Sequence, residues 1–270
     1  MRNEIDNSIA YTKLYGWLIL AITIIGLIVS ASHDMSLSSQ FSFYADSNLV
    51  HLLDRSIFDG GGLGISDIPI ILNLSIVFLG LLASFIKILP ERLKLYAKYC
   101  AASNLIFGVI IVHGLKFVIG RARPHVSLSD SSYFTTFFEF GRHRPFIDSF
   151  SGSLPSGHTA AMMALIPIVF CIFDGPSFKG KLLRGIGIIG TVSGALLMAI
   201  GRVSSKDHFL SDCLLSIFLG WNFHFFTYYI YFKVPVLKKY DIYSIGFKNI
   251  AKLTYPLLAL LLMLLLIKII

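Results

Sequence analysis

The chain has 270 residues, of which 55% are hydrophobic and only 14% are charged, and its 23 Lys and Arg exceed its 15 Asp and Glu by a formal charge of +8. The low share of charged residues excludes an ordinary soluble globular domain, in which about a quarter of the residues are charged. Because a helix needs about 20 apolar residues to cross a ~30 Å hydrocarbon core, this length holds six or seven spans and no separate large soluble domain.

Long apolar runs predict membrane-spanning helices along the whole chain. The runs are unbroken and lack the alternation of a barrel strand, so helix is the expected backbone. The first run follows Glu4 and Asp6, which favours an uncleaved span over a signal peptide. We therefore expect an all-α, polytopic membrane bundle that forms one domain over residues 1–270. Its six core runs lie at about 14–31, 69–90, 99–119, 159–174, 185–201 and 209–232.

A basic segment and a leucine-rich tail follow the core over residues 233–270. The tail, at about 254–270, is long enough to add a seventh span. Outside the apolar runs, the glycine-rich stretch at 60–64 matches no nucleotide-binding motif, and we interpret it as a flexible turn. All three cysteines lie in separate apolar stretches, so no disulfide framework is expected.

The distribution of basic residues predicts the orientation of the chain. With a cytoplasmic N-terminus, fourteen Lys and Arg fall in the inside segments and eight in the outside segments, whereas ten of the fifteen acidic residues lie outside. The positive-inside rule favours this orientation. The positive charge therefore requires no nucleic-acid partner. The compact chain, with no evident retention motif, is expected in a bacterial cytoplasmic (inner) membrane.

Three clusters of ionisable residues fall at the outer ends of predicted spans, where such groups are costly to desolvate and are often functional. The first cluster runs from Lys116 to Pro124. Lys116 lies two turns before Arg123, so both cations can meet one anion, and the proline ends the helix. A basic helix end that reaches the lipid headgroups explains this cluster equally well.

The second cluster, from Ser153 to Ala160, opens the fourth span. At a helix N-terminus, Ser156 and Gly157 offer a hydroxyl, free backbone N–H groups and the positive end of the helix dipole, which together favour an anion. His158 follows in the first turn, where it can transfer a proton to a bound group. Taken alone, this cluster is also compatible with an ordinary N-cap and an interfacial histidine.

The third cluster runs from Gly201 to Asp212 and leads into the sixth span. His208 and Asp212 are four residues apart, so a carboxylate can fix the tautomer of the imidazole and leave its other nitrogen as a nucleophile. Arg202 adds a guanidinium. A His-x3-Asp pair also occurs in metal sites, but three or more ligands are normally needed and neighbouring cations repel a metal ion. An oxyanion, most simply phosphate, is therefore the expected ligand, and no metal or cofactor is expected.

Taken together, the clusters resemble the motifs of the type 2 phosphatidic acid phosphatase and vanadium haloperoxidase superfamily. Those motifs read Lys-x6-Arg-Pro, Pro-Ser-Gly-His and Ser-Arg-x5-His-x3-Asp, and their order and spacing extend the resemblance over most of the chain. Gly201 stands where the family usually has serine, while Arg202 is retained.

The resemblance implies a metal-independent lipid phosphatase with a phosphohistidine intermediate. His208 would attack phosphorus, Asp212 would orient it, and His158 would protonate the leaving group and later activate water. The other motif residues would hold the nonbridging oxygens, where charge is spread in the transition state; they are Lys116, Arg123, Ser156, Gly157 and Arg202. The site would face the outside, and its lipid substrate would arrive from the bilayer.

The sequence leaves the substrate open among lipid A, phosphatidylglycerol phosphate, undecaprenyl diphosphate and phosphatidic acid. Arg142, His143 and Arg144 favour a polyanionic lipid, although a headgroup contact explains them as well. Aromatic side chains in the same loop predict an interfacial anchor or a gate for lipid entry: Tyr133, Phe134, Phe137, Phe138, Phe140 and Phe146.

Two other functions fit parts of the pattern. A lipid-to-lipid phosphotransferase would use the same residues but transfer the phosphate to a second lipid. A membrane transporter is disfavoured because the charged clusters lie at one face and His113 is the main polar group within the middle spans.

Overall fold

The computed structural model describes residues 2–41, 68–136, 152–173, 177–239 and 247–269, together with positions 48, 139 and 245. All regular structure in these residues is helical, which confirms the predicted all-α class. Helix α1 (Arg2–Phe41) is 40 residues long, and α2 (Ile68–Phe85) has 18 residues. The glycine-rich stretch at 60–64 lies outside the described residues.

The third predicted span is a helical rod built from three pieces. Helix α3 (Glu91–Asn104) passes into a π-helical stretch (Leu105–His113) and then into α4 (Gly114–Ile119). Gly120 ends the rod with a φ of 59°, and its N–H donates to the Lys116 carbonyl at 3.0 Å. Glycine adopts this left-handed conformation without a Cβ clash. The chain therefore leaves the helix directly before Arg121.

The remaining helices complete the bundle. Helix α5 (Pro124–Ser129) is short. The fourth predicted span consists of α6 (Gly157–Met163) and α7 (Ile166–Ile172), and Pro167 fits the first turn of α7. The last four helices are α8 (Phe178–Ser204), α9 (Leu210–Phe225) with a π-helical extension (Phe226–Tyr231), α10 (Val234–Lys239) and α11 (Phe247–Ile269).

Among the described residues, each predicted apolar run is largely helical, but these residues do not establish the predicted count of six spans. Four segments are long and apolar enough to cross a membrane, namely Thr12–Ser30, Glu91–Ser129, Phe178–Ser204 and Leu210–Leu237. Shorter apolar stretches of 10–17 residues are Ile71–Phe85 within α2, Gly157–Ile172 across α6 and α7, and Asn249–Leu264 within α11. The chain is therefore an all-helical protein with four candidate membrane spans among its described residues.

The core lies between α3, the α6–α7 pair and α9. Tyr99, Phe107, Phe170 and Tyr228 are completely buried there. Gly220 of α9 lies directly against α6, because a Cβ at this position would stand 2.7 Å from the Cβ of Met163. Small residues allow membrane helices to approach this closely.

Helix α1 packs along α8 and α9. At one end of this contact, the hydroxyls of Thr12 and Tyr229 are 3.0 Å apart. At the other end, Asp34 accepts a hydrogen bond from the backbone N–H of Ser211 at 3.2 Å. The apolar side chains on the outer surface, such as Trp17, stay exposed, as expected for helices that face lipid.

Replacing Gly220 with alanine should destabilise the bundle. The added methyl group overpacks the α6–α9 contact, which costs about 1–3 kcal/mol. Gly190→Ala in α8 is the matched control, because a Cβ there meets nothing within 4 Å. Thermal unfolding in detergent should show a lower Tm for Gly220→Ala and an unchanged or slightly higher Tm for Gly190→Ala. Equal Tm values would contradict the proposed contact.

Candidate active site

Four helix ends meet at one end of the bundle: the C-terminal ends of α4 and α8 and the N-terminal ends of α6 and α9. Backbone hydrogen bonds join the connecting segments. The N–H of Ser153 donates to the Arg121 carbonyl at 2.9 Å, and the N–H of Ser156 donates to the Asp212 carbonyl at 3.3 Å. The three clusters, which are far apart in sequence, are therefore brought together in one place.

His208 lies in the turn between α8 and α9. In this turn Lys206 has a φ of 61°, and the N–H groups of Asp207 and His208 donate to the Arg202 carbonyl at 3.1 and 3.2 Å. The backbone thus closes over the end of α8 in a left-handed turn. Because the turn is bonded to Arg202, it fixes both His208 and the acidic residue before it.

The imidazole of His208 is buried, with 2% of the residue exposed. Its Nδ1 lies 3.8 Å from Oδ2 of Asp212, which is too long for a direct hydrogen bond. The Ser153 hydroxyl donates to that Oδ2 and stands 3.5 Å from Nδ1. Burial lowers the pKa of His208 well below its usual range, although Asp212 opposes this shift. The imidazole is therefore neutral at pH 7 and keeps a lone pair available for attack.

A cluster of three cations lies near this histidine. Lys116 is buried, and its Nζ donates to the Gly152 carbonyl at 2.7 Å. Its Cε would be 3.7 Å from a Cβ on Gly157, which places the lysine beside the start of α6. Lys116 also interacts electrostatically with Arg123 and Arg202. Lysine and arginine side chains from three segments thus point their charge into one small region.

The carboxylate of Asp207 bridges the two arginines. Its Oδ1 accepts from Nη1 of Arg123 at 3.1 Å, and its Oδ2 accepts from Nη2 of Arg202 at 2.6 Å. Burial raises the pKa of Asp207, but Arg202 and Arg123 outweigh this effect and hold it below its ordinary value. An internal anion therefore contacts the guanidinium groups that the sequence analysis assigns to phosphate.

The start of α6 contributes the remaining predicted residues. The Ser156 hydroxyl is buried and caps the helix, accepting from the N–H of Thr159 at 3.5 Å and from its hydroxyl at 3.1 Å. Gly157 and His158 are the first two residues of α6, and both are half-buried. The backbone N–H groups of this first helical turn have no partner within the helix.

Three residues to which the sequence motifs assign no role also lie at this site: Arg121, Asp34 and Ser153. Arg121 and Asp34 are completely buried and form an ion pair, with Nη2 and Oδ2 separated by 2.9 Å. Arg121 also contacts Asp212, with Nη1 2.6 Å from Oδ1. The available signals were a second arginine two residues before Arg123 and an acidic residue beyond the first apolar run.

Only the beginning of the predicted aromatic loop is described. The ring of Phe134 lies 5.5 Å from that of Phe209, whereas Tyr133 is exposed. Phe134 thus packs against Phe209, the residue that follows His208, rather than serving only as a surface anchor. The other predicted loop residues lie outside the described residues: Phe137, Phe138, Phe140, Arg142, His143, Arg144 and Phe146.

The sequence profile of the PAP2 superfamily matches residues 97–235, which is just over half of the chain and includes all three clusters. This chain belongs to the PAP2 superfamily. Membership supports phosphatase activity on phosphate esters and confirms the resemblance found in the sequence. No curated protein and no solved structure matches the PAP2 chain.

Asp207→Asn should strengthen anion binding. The substitution removes a negative charge that lies between Arg123 and Arg202, so inorganic phosphate or orthovanadate meets less repulsion. We expect the inhibition constants of both anions to fall several-fold. Asp130→Asn is the control, because Asp130 is an exposed acid that caps a short turn through the N–H of Ser132. Weaker inhibition of Asp207→Asn would instead mean that the carboxylate holds the arginines in place for the ligand.

Proposed function

We propose that this PAP2 protein is a metal-independent lipid phosphatase that hydrolyses a phosphate monoester or diphosphate on a membrane lipid. The observation that carries the proposal is a buried His208 with a carboxylate on one side and a cluster of three cations nearby. A nucleophile, an orienting group and charge stabilisation are the parts that phosphoryl transfer needs.

In the first step, Nε2 of His208 attacks phosphorus, because Asp212 and Ser153 lie on the Nδ1 side of the ring. The phosphorus–nitrogen bond forms as the bond to the lipid oxygen breaks. His158 donates a proton to that oxygen, which leaves as an alcohol, or as a phosphate when the substrate is a diphosphate. The product of this step is phosphohistidine.

In the second step, His158 removes a proton from a water molecule, and the resulting hydroxide attacks phosphorus. The phosphorus–nitrogen bond breaks, inorganic phosphate leaves, and His208 is again neutral. Throughout both steps, Lys116, Arg123 and Arg202 stabilise the charge on the nonbridging oxygens together with Ser156 and the N–H of Gly157. Fixed cations of this kind supply the charge stabilisation, so the mechanism uses no metal ion.

Two apolar grooves along the helical rod that carries Lys116 favour a lipid over a soluble ester. One groove, of about 80 Å³, runs from Gly157 between α2 and α6 and is lined by Leu74 and Ala161 among others. A larger groove, of about 470 Å³, lies between α4 and α11 beside Phe117 and Leu261. Acyl or prenyl chains can occupy such apolar space while the headgroup reaches Lys116.

We place the enzyme in a bacterial cytoplasmic membrane with its site toward the outside, in line with the charge distribution. Its substrate would be an envelope lipid: lipid A, phosphatidylglycerol phosphate, undecaprenyl diphosphate or phosphatidic acid. The lipid bilayer and this lipid phosphate are the partners that the proposal requires.

The reaction is tested by measuring phosphate release from these four lipids by detergent-purified protein in excess chelator. We expect release by the unmodified protein, none by His208→Ala, and a rate about 10²–10⁴-fold lower for His158→Ala. His33→Ala, which changes an exposed histidine of α1, is the control and should keep full activity. Full activity in His208→Ala would refute the mechanism. Radiolabel that appears in a second lipid would indicate the phosphotransferase. Flux without hydrolysis, measured in proteoliposomes, would indicate the transporter.

Substrate binding through the smaller groove is tested with Ala161→Leu. The larger side chain fills the groove next to Gly157, so the KM for phosphatidic acid should rise several-fold. The rate with glycerol 3-phosphate, which has no acyl chain, should stay unchanged and serves as an internal control. An equal loss of activity with phosphatidic acid and with glycerol 3-phosphate would mean that the substitution damages the site itself.

A further inference from the structure

A closed network of charged groups lies behind Asp212. The guanidinium of Arg121 reaches two carboxylates at once, with Nη1 2.6 Å from Oδ1 of Asp212 and Nη2 2.9 Å from Oδ2 of Asp34. Nη1 also donates to the Ser211 hydroxyl at 2.7 Å. That hydroxyl donates to Asp34, which closes the network. All four residues are completely buried.

The two oxygens of Asp212 have different partners. Oδ1 is bound by Arg121, whereas Oδ2 accepts from the Ser153 hydroxyl and from the N–H of Phe209, the latter at 2.9 Å. Oδ2 is also the oxygen nearest to His208. Because the carboxyl group is planar, the contact at Oδ1 fixes the direction in which Oδ2 points. Arg121 therefore controls the face that Asp212 presents to the imidazole.

Arg121 is itself held rigidly. Its Nε donates to the Thr135 carbonyl at 2.8 Å. Its guanidinium carbon lies 4.2 Å from the ring centroid of Phe209 and 5.7 Å from that of Phe134. These contacts hold the guanidinium in a single orientation. Asp34 accepts a hydrogen bond from Nη2, the nitrogen that does not contact Asp212. Without Asp34, that buried donor would lose its charged partner.

We infer that Asp34 and Arg121 are positioning residues for the phosphatase reaction: Asp34 of α1 orients Arg121, and Arg121 orients Asp212 toward His208. This inference rests on the proposed function. It makes α1, which lies outside the matched residues 97–235, a working part of the site. Lysine cannot replace Arg121 in this role, since a single ammonium group does not span two carboxylates with a fixed fork.

The test compares kcat and KM for Asp34→Asn and Arg121→Lys, using the best lipid substrate. Groups that orient a reacting residue typically change activity by about 10–100-fold. We expect a fall of that size in kcat with little change in KM, because neither residue belongs to the proposed phosphate-binding set. A rise in KM at constant kcat would overturn the inference.

Coupling is tested in the background of Asp212→Asn, whose residual activity can be followed with radiolabelled substrate. If Asp34 acts through Asp212, Asp34→Asn should lower kcat in the unmodified protein but change it by less than about twofold in that background. An equal fold-decrease in kcat in the unmodified protein and in Asp212→Asn would overturn the inference.

Tyr229→Phe is the control that distinguishes the positioning role of Asp34 from a general weakening of the contact between α1 and its neighbours. Tyr229 joins α9 to α1 at the opposite end of their contact, through hydroxyls 3.0 Å apart, so its loss should lower the Tm and keep kcat. Folding of each variant is checked by size-exclusion chromatography and Tm, and Arg121→Lys retains the buried positive charge in case Asp34→Asn unfolds. Full kcat in either folded variant refutes this inference alone. Lack of phosphate release by the unmodified protein refutes the proposed function as well.

Discussion

The buried carboxylate of Asp212 is the group on which the arrangement of the site depends. It accepts hydrogen bonds from Arg121 after α4, from Ser153 before α6 and from the N–H of Phe209 at the start of α9. A buried charge without these partners would be strongly destabilising. The three segments must therefore meet at Asp212, and their meeting brings His208 next to Lys116 and the arginines. Folding of the bundle and assembly of the site are in this sense one event.

The charges at this end of the bundle divide into two sets. Arg121 is completely buried and shared by two buried carboxylates, Asp34 and Asp212, so it has no capacity left for a ligand. Arg123 and Arg202 share the partly exposed carboxylate of Asp207, so a phosphate can compete for them. The inner set maintains geometry, while the outer set can exchange an internal anion for an external one. Two arginines only two residues apart thus have different tasks.

Sequence alone predicts the parts of this structure that are encoded locally. Apolar run lengths give the helical class, and the motif spacing predicts a shared site for His208, Asp212 and the outer cations. The pairing of Asp34 with Arg121 spans 87 positions and leaves no periodic signal, so only folding reveals it. The bridging role of Asp207 has the same origin. The predicted count of six spans stays unconfirmed among the described residues, because Ile71–Phe85 and Gly157–Ile172 have fewer than 18 residues.

The helix ends explain why charged residues are stable at this position in a largely apolar protein. Lys116 and Arg202 occupy the last turns of α4 and α8, where the negative end of the helix dipole favours cations. Asp212 occupies the first turn of α9, where the positive end favours an anion. Because α4 and α8 end where α6 and α9 begin, the helix dipoles stabilise both the cations and the carboxylate at this end of the bundle. The charges that a phosphate ester requires therefore lie where the helix ends stabilise them. The position of His208, in the turn between α8 and α9, depends instead on the residues that contact it.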